Sequence, residues 1–556
     1  MARKLTRFLS VGLMLVMILS LMVGVADAQE TVMVIGWEQE PPQLYPMVNM
    51  VFSIALEEFY ARDVWNWDHD RNIYPVMAAE IPTVENGMVE TNDEGNTVVT
   101  VRLREGMKWS DGEPITAADC AFWHEIMMNP ELAPNVPRGN YPNVVEGFEV
   151  IDDYTYQITY NQPWPDYQSD SYGRCSYPEH VLRPILEAEG SITNAPQWTG
   201  QGVVGYGPYV LTEWVLGDTI TFDRNPNWDG QPPAIDRVII KQIPDASQMV
   251  SAMEAGEIDL AWFFSDDLVD DYAAIPDVVT WSEPGVTSDA LWINMTENAH
   301  PALHDVNVRK ALVHALDRRT MADGLVSPNV PIPNSWWFPQ FNPPDLEVWD
   351  YNPDLANQLL DEAGWVDTND NGIRDKNGGE LILRFYTTTR QIRMDYQLLM
   401  QEYWNAVGIG TQVLPVPAGI LFDTFSNRGI LLTYDYDIAL YGLTADPLTP
   451  NSEAAFNCDQ VASPEQPDGH NYVGFCNEEY DRLDALVNTT LDPEERLQYH
   501  YEAERIINEA VFYIGLYVRQ TNYALNAERF DPESVMGLGT LSFNFFEYVE
   551  NWQPAA

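Results

Sequence analysis

The apolar positions of the chain repeat with two different periods. Residues 31–36 and 381–386 are short, mostly apolar stretches bounded by turn or polar residues, which is the pattern of β-strands. Residues 246–255 place Met249 and Met253 on one face, which is the period of an amphipathic α-helix. Short strands alternate in this way with helices of about 10–15 residues. The pattern predicts an α/β fold rather than an all-α or all-β one.

Turn and capping residues mark the element boundaries in two segments. Residues 101–120 read as a short alternating strand, a glycine turn at Gly106, and a helix that begins at Thr116. Asp305 is placed in the same way before a helix in residues 305–326, because apolar residues follow it at helical spacing. Both helices are therefore expected to begin at a residue whose side chain accepts a backbone N–H.

The amino-terminal residues have the composition of an export signal. Three basic residues precede an apolar stretch over residues 8–25, and small residues at 26–28 provide a cleavage site. We predict a signal peptide over residues 1–28 and a secreted or periplasmic protein. The alternative is an uncleaved membrane anchor, because the apolar stretch approaches the roughly 20 residues that cross a bilayer. The first cysteine is Cys120, so no lipobox thiol is available for acylation.

The charge of the chain limits its partners. It contains 84 acidic and 29 basic residues, for a net charge of −55. Such a chain repels nucleic acid and anionic membrane surfaces, and it has no cluster of lysine and arginine to neutralise phosphates. The acidic residues are spread along the sequence, which is typical of a solvated surface rather than of an acidic tail.

Four cysteines in an exported protein permit two disulfides. Cys458 and Cys476 bracket a short loop rich in proline, glycine, aspartate and asparagine, so we expect this pair to be bonded. Cys120 and Cys175 either form the second bridge or Cys120 is a buried helical thiol. None of the spacings resembles a CxxC zinc or redox site.

The segment over residues 101–120 also resembles a family signature. The family is that of the family 5 extracellular solute-binding proteins, the peptide-binding receptors of ABC importers. Further blocks resemble the family and occur in the same order as in the family. They are residues 72–82, before this segment, and residues 205–259, 305–318 and 352–365, after it. The residues that fit the signature itself are Leu103, Arg104, Gly106, Trp109, Asp111, Gly112, Thr116, Ala117 and Asp119.

The resemblance implies a fold and a division into domains. It implies a periplasmic-binding-protein-like type II fold of two α/β lobes, with an extra small domain inserted in the first lobe. Two segments cross between the lobes, near residues 285–294 and 513–523, and the ligand lies between the lobes. The expected boundaries are residues 29–75, 200–289 and 520–556 for lobe 1, 76–199 for the inserted domain, and 290–519 for lobe 2.

The resemblance also implies a function. It predicts an extracytoplasmic, monomeric receptor that captures a small peptide and delivers it to the membrane permease of an ABC transporter. The same scaffold binding an oligosaccharide or another small solute is the alternative, since one fold hosts several ligand classes. An enzyme is not expected, because the sequence has no GxSxG, HExxH or phosphate-loop motif.

Two charged residues are candidates for the ends of a peptide. Peptide receptors of the family carry G-W-x-A-D where this chain has Gly442 to Asp446, so the resemblance makes Asp446 the ammonium anchor. Leu443 replaces the usual tryptophan, which puts the peptide preference in question. Arg390, with Arg393 beside it, is the candidate for a carboxylate, because a guanidinium pairs bidentately with that group.

Aromatic residues are the remaining ligand-binding candidates. Tyr206, Trp262, Trp337 and Tyr441 could form the wall of a pocket for apolar side chains or stack on sugar rings. The alternative for each is a place in the apolar core, since aromatic clusters are more often core than ligand surface.

One loop resembles a cation site. Asp367, Asn369, Asn371 and Asp375 supply oxygens at positions 1, 3, 5 and 9 of a calcium-type loop. The twelfth position is Gly378 rather than glutamate, so the full EF-hand pattern fails. A structural calcium and an Asx-rich turn are both open, and no cofactor is otherwise expected. His300 and His304 do not suggest a metal site, because a proline interrupts the helical spacing between them.

Overall fold

The computed structural model describes most of the chain. The predicted signal peptide, residues 1–28, lies outside the described residues. Among the helices within them, none is both long and apolar enough to span a bilayer. The described residues are 30–41, 44, 51–68, 71–134, 138, 141–168, 175–200, 202–328, 330–452, 454–535, 545–546 and 548–556.

The described ranges contain both strands and helices, in the alternation that the sequence predicts. The strands are β1 (Val32–Trp37), β2 (Trp65–Trp67), β3 (Ile73–Pro75), β4 (Val89–Thr91), β5 (Thr97–Arg102), β6 (Val145–Asp152), β7 (Thr155–Tyr160), β8 (Tyr209–Val215), β9 (Thr219–Arg224), β10 (Arg237–Gln242), β11 (Leu260–Phe263), β12 (Val278–Ile293), β13 (Asp375–Lys376), β14 (Gly379–Glu380), β15 (Ile382–Thr388), β16 (Gly410–Val416), β17 (Ile438–Thr444) and β18 (Tyr513–Asn526). The α-helices are Val51–Tyr60, Ala117–Met128, Tyr141–Val144, Glu179–Glu189, Ala246–Glu254, Val269–Ala273, Val306–His314, Arg318–Leu325, Pro353–Glu362, Gln391–Ala406, Ala418–Leu421, Glu478–Val487, Pro493–Ala510 and Pro532–Val535.

Capping residues begin the helices where the sequence places them. Thr116 accepts the backbone N–H of Ala118 and completes a capping box with Asp119. Asp305 also caps its helix, but the single helix expected in residues 305–326 is divided into two. The reason is a second cap, because Asp317 accepts the backbone N–H of Thr320 and begins a new helix.

One ten-stranded sheet runs through the molecule. Its order is β16-β15-β17-β12-β18-β11-β1-β10-β9-β8. We call the part around β1 and β8–β11 lobe 1 and the part around β15–β17 lobe 2. The long strands β12 and β18 lie between them, and they pair with each other over most of their length. The structure therefore confirms the two-lobed α/β fold that the resemblance implies.

A second, four-stranded antiparallel sheet has the order β4-β5-β7-β6. It packs with the helix Ala117–Met128 around its own buried cluster, which includes Trp109, Trp123 and Tyr156. The two lobes have separate buried clusters. We call the part of the chain around this second sheet the small unit. Its position between β1 and β8 in the sequence agrees with an insertion in lobe 1, and the exact boundaries given above stay a prediction.

Two disulfides close loops of different lengths. Cys458 is bonded to Cys476 across 18 residues, and Cys120 is bonded to Cys175 across 55 residues. The second bond settles the alternative that the sequence left open for Cys120. Cys120 is fully buried within the small unit, and its bridge joins the helix Ala117–Met128 to the chain just before the helix Glu179–Glu189.

Removing the two disulfides is expected to destabilise the protein unequally. Loop-closure entropy assigns about 3 kcal/mol to an 18-residue loop and about 4 kcal/mol to a 55-residue loop. We therefore expect the double variant Cys458→Ala, Cys476→Ala to lose less stability than Cys120→Ala, Cys175→Ala. Urea unfolding of both variants and the parent measures the two losses. A larger loss for the shorter loop would contradict the entropic argument.

Candidate functional site

The lobes meet at the two crossing strands, and the site is built there. Among the described strands of the large sheet, only β12 and β18 lie between the strands of lobe 1 and those of lobe 2. Their pairing shifts register between Pro284 and Ser288, which leaves residues 285–287 opposite Arg519 alone. Such a bulge bends a strand and turns its side chains in a new direction.

A fully buried aspartate beside this bulge is surrounded by arginines. Asp289 on β12 accepts a hydrogen bond from Nε of Arg393 at 2.6 Å and one from Nε of Arg519 at 2.7 Å. Nη1 of Arg390 lies 3.5 Å from the Asp289 carboxylate. We call Asp289, Arg390, Arg393 and Arg519 the hinge charge cluster. One negative and three positive charges leave this cluster with two positive charges in excess.

The arginines of the hinge charge cluster differ in exposure. Arg393 is 7% exposed and also donates to the Thr388 hydroxyl, so its guanidinium is held by buried groups of the protein itself. The side chains of Arg390 and Arg519 are 44% and 36% exposed, so both can meet a ligand. Burial alone would raise the pKa of Asp289, but the charges of Arg519 and Arg393 outweigh it and hold that pKa below its usual value.

Gly442 makes room for this arrangement. It lies on β17 directly opposite Asp289 in the sheet. A Cβ atom at this position would lie 2.7 Å from Nη2 of Arg519 and 3.3 Å from Nη2 of Arg393. Any larger residue would therefore displace the Arg519 guanidinium from this position. Gly442, the first residue of the segment that corresponds to the family's G-W-x-A-D motif, is thus explained by the packing of these two arginines.

An acidic residue of lobe 1 lies near the other side of the crossing. Asp266 accepts a hydrogen bond from the Asn522 amide of β18 at 2.9 Å, and Asn522 in turn accepts one from the Ser282 hydroxyl of β12. Burial raises the pKa of Asp266, and the positive charge of Arg390 partly offsets that rise. Asp266 of lobe 1 and Arg390 of lobe 2 therefore lie within electrostatic reach of each other at the junction.

Asp446 lies just beyond β17 and organises the backbone that follows. One of its carboxylate oxygens accepts the backbone N–H of Leu448 at 2.7 Å and that of Thr449 at 3.3 Å. The side chain is half-buried. The structure thus gives Asp446 a role in fixing residues 446–450, and its contact with a ligand ammonium stays a prediction.

Away from the crossing strands, the small unit side of the molecule also contacts lobe 2. Arg496 of lobe 2 forms an ion pair of 2.6 Å with Asp166 of the small unit, and Asn451 donates to the same carboxylate at 3.1 Å. Arg71 donates to the Gln340 side-chain oxygen of lobe 2 at 3.1 Å. We call this arrangement, in which the small unit is in contact with lobe 2, the closed form.

The aromatic candidates lie in apolar cores. Trp262 is in the core of lobe 1 and Tyr206 in that of the small unit, where its hydroxyl donates to Asp229 at 2.7 Å. Trp337 and Tyr441 are in the core of lobe 2, and Tyr441 stacks on Trp292. Each is at most 3% exposed. The structure thus gives all four a packing role, and a ligand contact of any of them stays a prediction.

The calcium-like loop is occupied by its own hydrogen bonds. Asp367 accepts the backbone N–H groups of Asn369, Asn371 and Gly372. Asp375 instead binds the Thr368 hydroxyl and backbone N–H. This is the Asx-rich turn that the sequence offered as an alternative to calcium. Over the described part of the chain, no three histidine, cysteine, aspartate or glutamate side chains are grouped closely enough to hold a metal ion.

Asp289 and Arg519 are functional candidates that the sequence reasoning missed. Both are charged residues inside long strands, and such residues are rarely buried unless they are paired. This signal was present, but the partners are distant in sequence. Arg393 is 104 residues from Asp289, and Arg519 is 230 residues from it.

Comparison with known proteins gives a match to one family and a relative that aligns over most of both chains. The family described as bacterial extracellular solute-binding proteins, family 5 Middle, matches residues 72–460. The oligopeptide-binding protein AppA of Bacillus subtilis is 27% identical over 518 residues, which cover 89% of this chain and 88% of AppA.

Solved structures show the same fold. The structure of Bacillus subtilis AppA in complex with a nonapeptide matches with a TM-score of 0.65 and 21% identity, over 95% of this chain and 100% of that one. NikA from Brucella suis in complex with Fe(III)-EDTA matches with a TM-score of 0.75 and 22% identity, over 94% and 100% of the two chains. At such identities the likeness concerns the fold alone.

Proposed function

The chain belongs to family 5 of the bacterial extracellular solute-binding proteins, and from this we propose that it captures a small peptide between its lobes for an ABC importer. The members of this family bind solutes and are not enzymes, so the ligand is expected to leave chemically unchanged. The relative AppA, which aligns with 89% of this chain, is an oligopeptide-binding protein. A peptide is therefore the solute class that the relatives favour.

The observation that carries this proposal is the hinge charge cluster. Two positive charges in excess, in a chain whose net charge is −55, mark a place where an anionic group is favoured. We propose that Arg390 and Arg519 bind the carboxylate of the peptide. We propose that Asp266 and Asp446, two acids near the crossing, attract its ammonium group.

An oligosaccharide fits these observations less well. Binding of sugar rings commonly uses exposed aromatic faces, and the four aromatic candidates named from the sequence are buried in cores. A neutral sugar also gives no partner to the excess charge of the hinge charge cluster. The excess positive charge of the hinge charge cluster and the burial of the four aromatic candidates thus both favour a peptide over an oligosaccharide.

The setting of this activity follows from the family. Its members act outside the cytoplasm, and we propose export of this chain by the predicted signal peptide over residues 1–28, without a lipid anchor. We propose further that the mature protein is a monomer and delivers its ligand to the membrane permease of an ABC transporter. Closure of the lobes around the ligand is what such a permease would recognise.

Titration calorimetry with tri- to pentapeptides tests the proposal. We expect binding in the micromolar range, which corresponds to about −8 kcal/mol. Peptides with a free carboxylate should bind more tightly than the same peptides with an amidated end. Arg390→Gln should weaken binding of the free acid about tenfold and remove its advantage over the amide, because a half-exposed charge pair is lost.

Arg505→Gln is the matched control, since Arg505 is similarly exposed but pairs with Asp345 on the surface of lobe 2. Its peptide affinity should equal that of the parent. Binding of cello- or xylo-oligosaccharides without any peptide binding would refute the proposed function. Peptide binding that is indifferent to amidation would refute the role of Arg390 alone.

A further inference from the structure

A cavity lies between the small unit and lobe 2. Its volume is about 420 Å³. Val84 and Tyr167 line it from the small unit, and Phe341, Leu448 and Leu497 line it from lobe 2. Because its walls come from both sides of the interlobe boundary, the cavity has this shape only when the lobes are closed.

Two charged residues in the wall of this cavity pair with each other across the interlobe boundary. Asp166 and Arg496 both line it, and they form the interlobe ion pair of 2.6 Å. Both side chains are at least nine-tenths buried, and Asn451 donates a further hydrogen bond to Asp166. Because these two side chains pair with each other, neither is offered to a charged group of a ligand. Glu85 also lines the cavity, and four further lining residues are polar. The other ten lining residues are apolar, so an apolar occupant is favoured.

The cavity is joined to the predicted ligand anchor through the backbone. Asp446 fixes residues 446–450 by accepting the N–H groups of Leu448 and Thr449, and Leu448 and Thr449 both line the cavity. A peptide whose ammonium group is held near Asp446 would therefore have a neighbouring side chain within reach of the cavity. A cavity of about 150 Å³ already holds a benzene ring, so this one has room for any natural side chain.

We propose that this cavity is a subsite for one aliphatic or aromatic side chain of the bound peptide. The inference rests on the proposed function and adds a preference to it. Peptides with a bulky apolar residue close to their amino terminus would bury that residue between the small unit and lobe 2. Filling the cavity would also hold the closed form, because its two walls belong to opposite sides.

Affinities for four tripeptides test the subsite. The probes are trialanine and the three peptides in which leucine replaces one alanine. We expect the parent to bind at least one leucine peptide ten times more tightly than trialanine. Leu497→Trp fills the cavity, so it should remove this advantage. Leu497→Ala enlarges the cavity and should extend the preference to tryptophan at the same position.

Leu216→Trp is the control, because Leu216 is 79% exposed on lobe 1 and the substitution is the same. It should leave all four affinities unchanged. If the parent binds trialanine and the leucine peptides equally, the subsite is refuted and the proposed function stands. If the parent binds none of the peptides, the proposed function itself fails. An equal loss for all four peptides in Leu497→Trp, with Leu497→Ala unchanged in preference, would also overturn the subsite.

Discussion

Replacing Asp289 by asparagine is expected to lower the free energy of unfolding by about 3–5 kcal/mol. Asp289 is fully buried and is the only acid in the hinge charge cluster. Without its charge, Arg393 and Arg519 would face each other at the centre of the large sheet with no counterion. Removing one partner of a buried ion pair leaves an uncompensated charge, which costs far more than a lost surface contact.

Urea unfolding of the variant and the parent measures this loss. Asp345→Asn is the matched control, because Asp345 pairs with Arg505 where both side chains are largely exposed. We expect the control to lose far less, because water and salt screen a pair of exposed charges. Adding Arg393→Gln to Asp289→Asn should restore part of the stability, since it removes one of the unpaired charges. A loss in Asp289→Asn as small as that of the control would refute the argument.

Glu504→Gln is expected to stabilise the protein, and more so as the pH rises. Glu504 is 1% exposed on the helix Pro493–Ala510, and one of its carboxylate oxygens has no hydrogen-bond partner among the described residues. Burial raises its pKa from the ordinary 4.5 to about 8, although the Ser335 hydroxyl opposes the rise. Its neighbour His500 is buried too, and burial lowers the pKa of that ring to about 3. At neutral pH both side chains are therefore uncharged.

The direction of the effect follows from proton linkage. Between pH 4.5 and 8 the folded protein keeps a proton on Glu504 that the unfolded chain has released. Stability therefore falls as the pH rises through this window, by about 1.4 kcal/mol per unit. Glutamine has no proton to lose, so the gap between variant and parent should grow from near zero at pH 4.5 to as much as about 5 kcal/mol at pH 8.

Urea unfolding at several pH values between 4.5 and 8 checks this prediction. Glu502→Gln is the control, because Glu502 lies on the same helix but is exposed. The difference between this control and the parent should stay within about 0.5 kcal/mol at every pH. A Glu504→Gln variant whose advantage does not change with pH would show that Glu504 is not protonated in the folded state.

Local signals in the sequence were sufficient for most of the fold. Thr116 and Asp305 begin helices as expected, because an N-cap depends only on the residue and the few N–H groups after it. The division at Asp317 shows the same rule at a position where the apolar spacing suggested continuity. The order of the family blocks then supplied the two lobes, which no local pattern contains.

The direction in which an aromatic residue faces could not be predicted in this way. Trp262 on β11 and Tyr441 on β17 lie in strands that are paired on both sides within the large sheet. The sequence of such a strand is apolar on both faces, so its period does not separate a core face from a ligand face. Both rings became core residues. Arg390, by contrast, was placed by the family comparison and lies in the hinge charge cluster.

The position of β18 has a consequence for how the protein is made. This strand lies near the end of the chain, yet it occupies the middle of the large sheet between β12 and β11. During synthesis the strands of both halves of the sheet leave the ribosome before the strand that joins them. The complete sheet can thus form only after β18 has been made, so the joining of the two halves depends on contacts between residues that are far apart in the sequence.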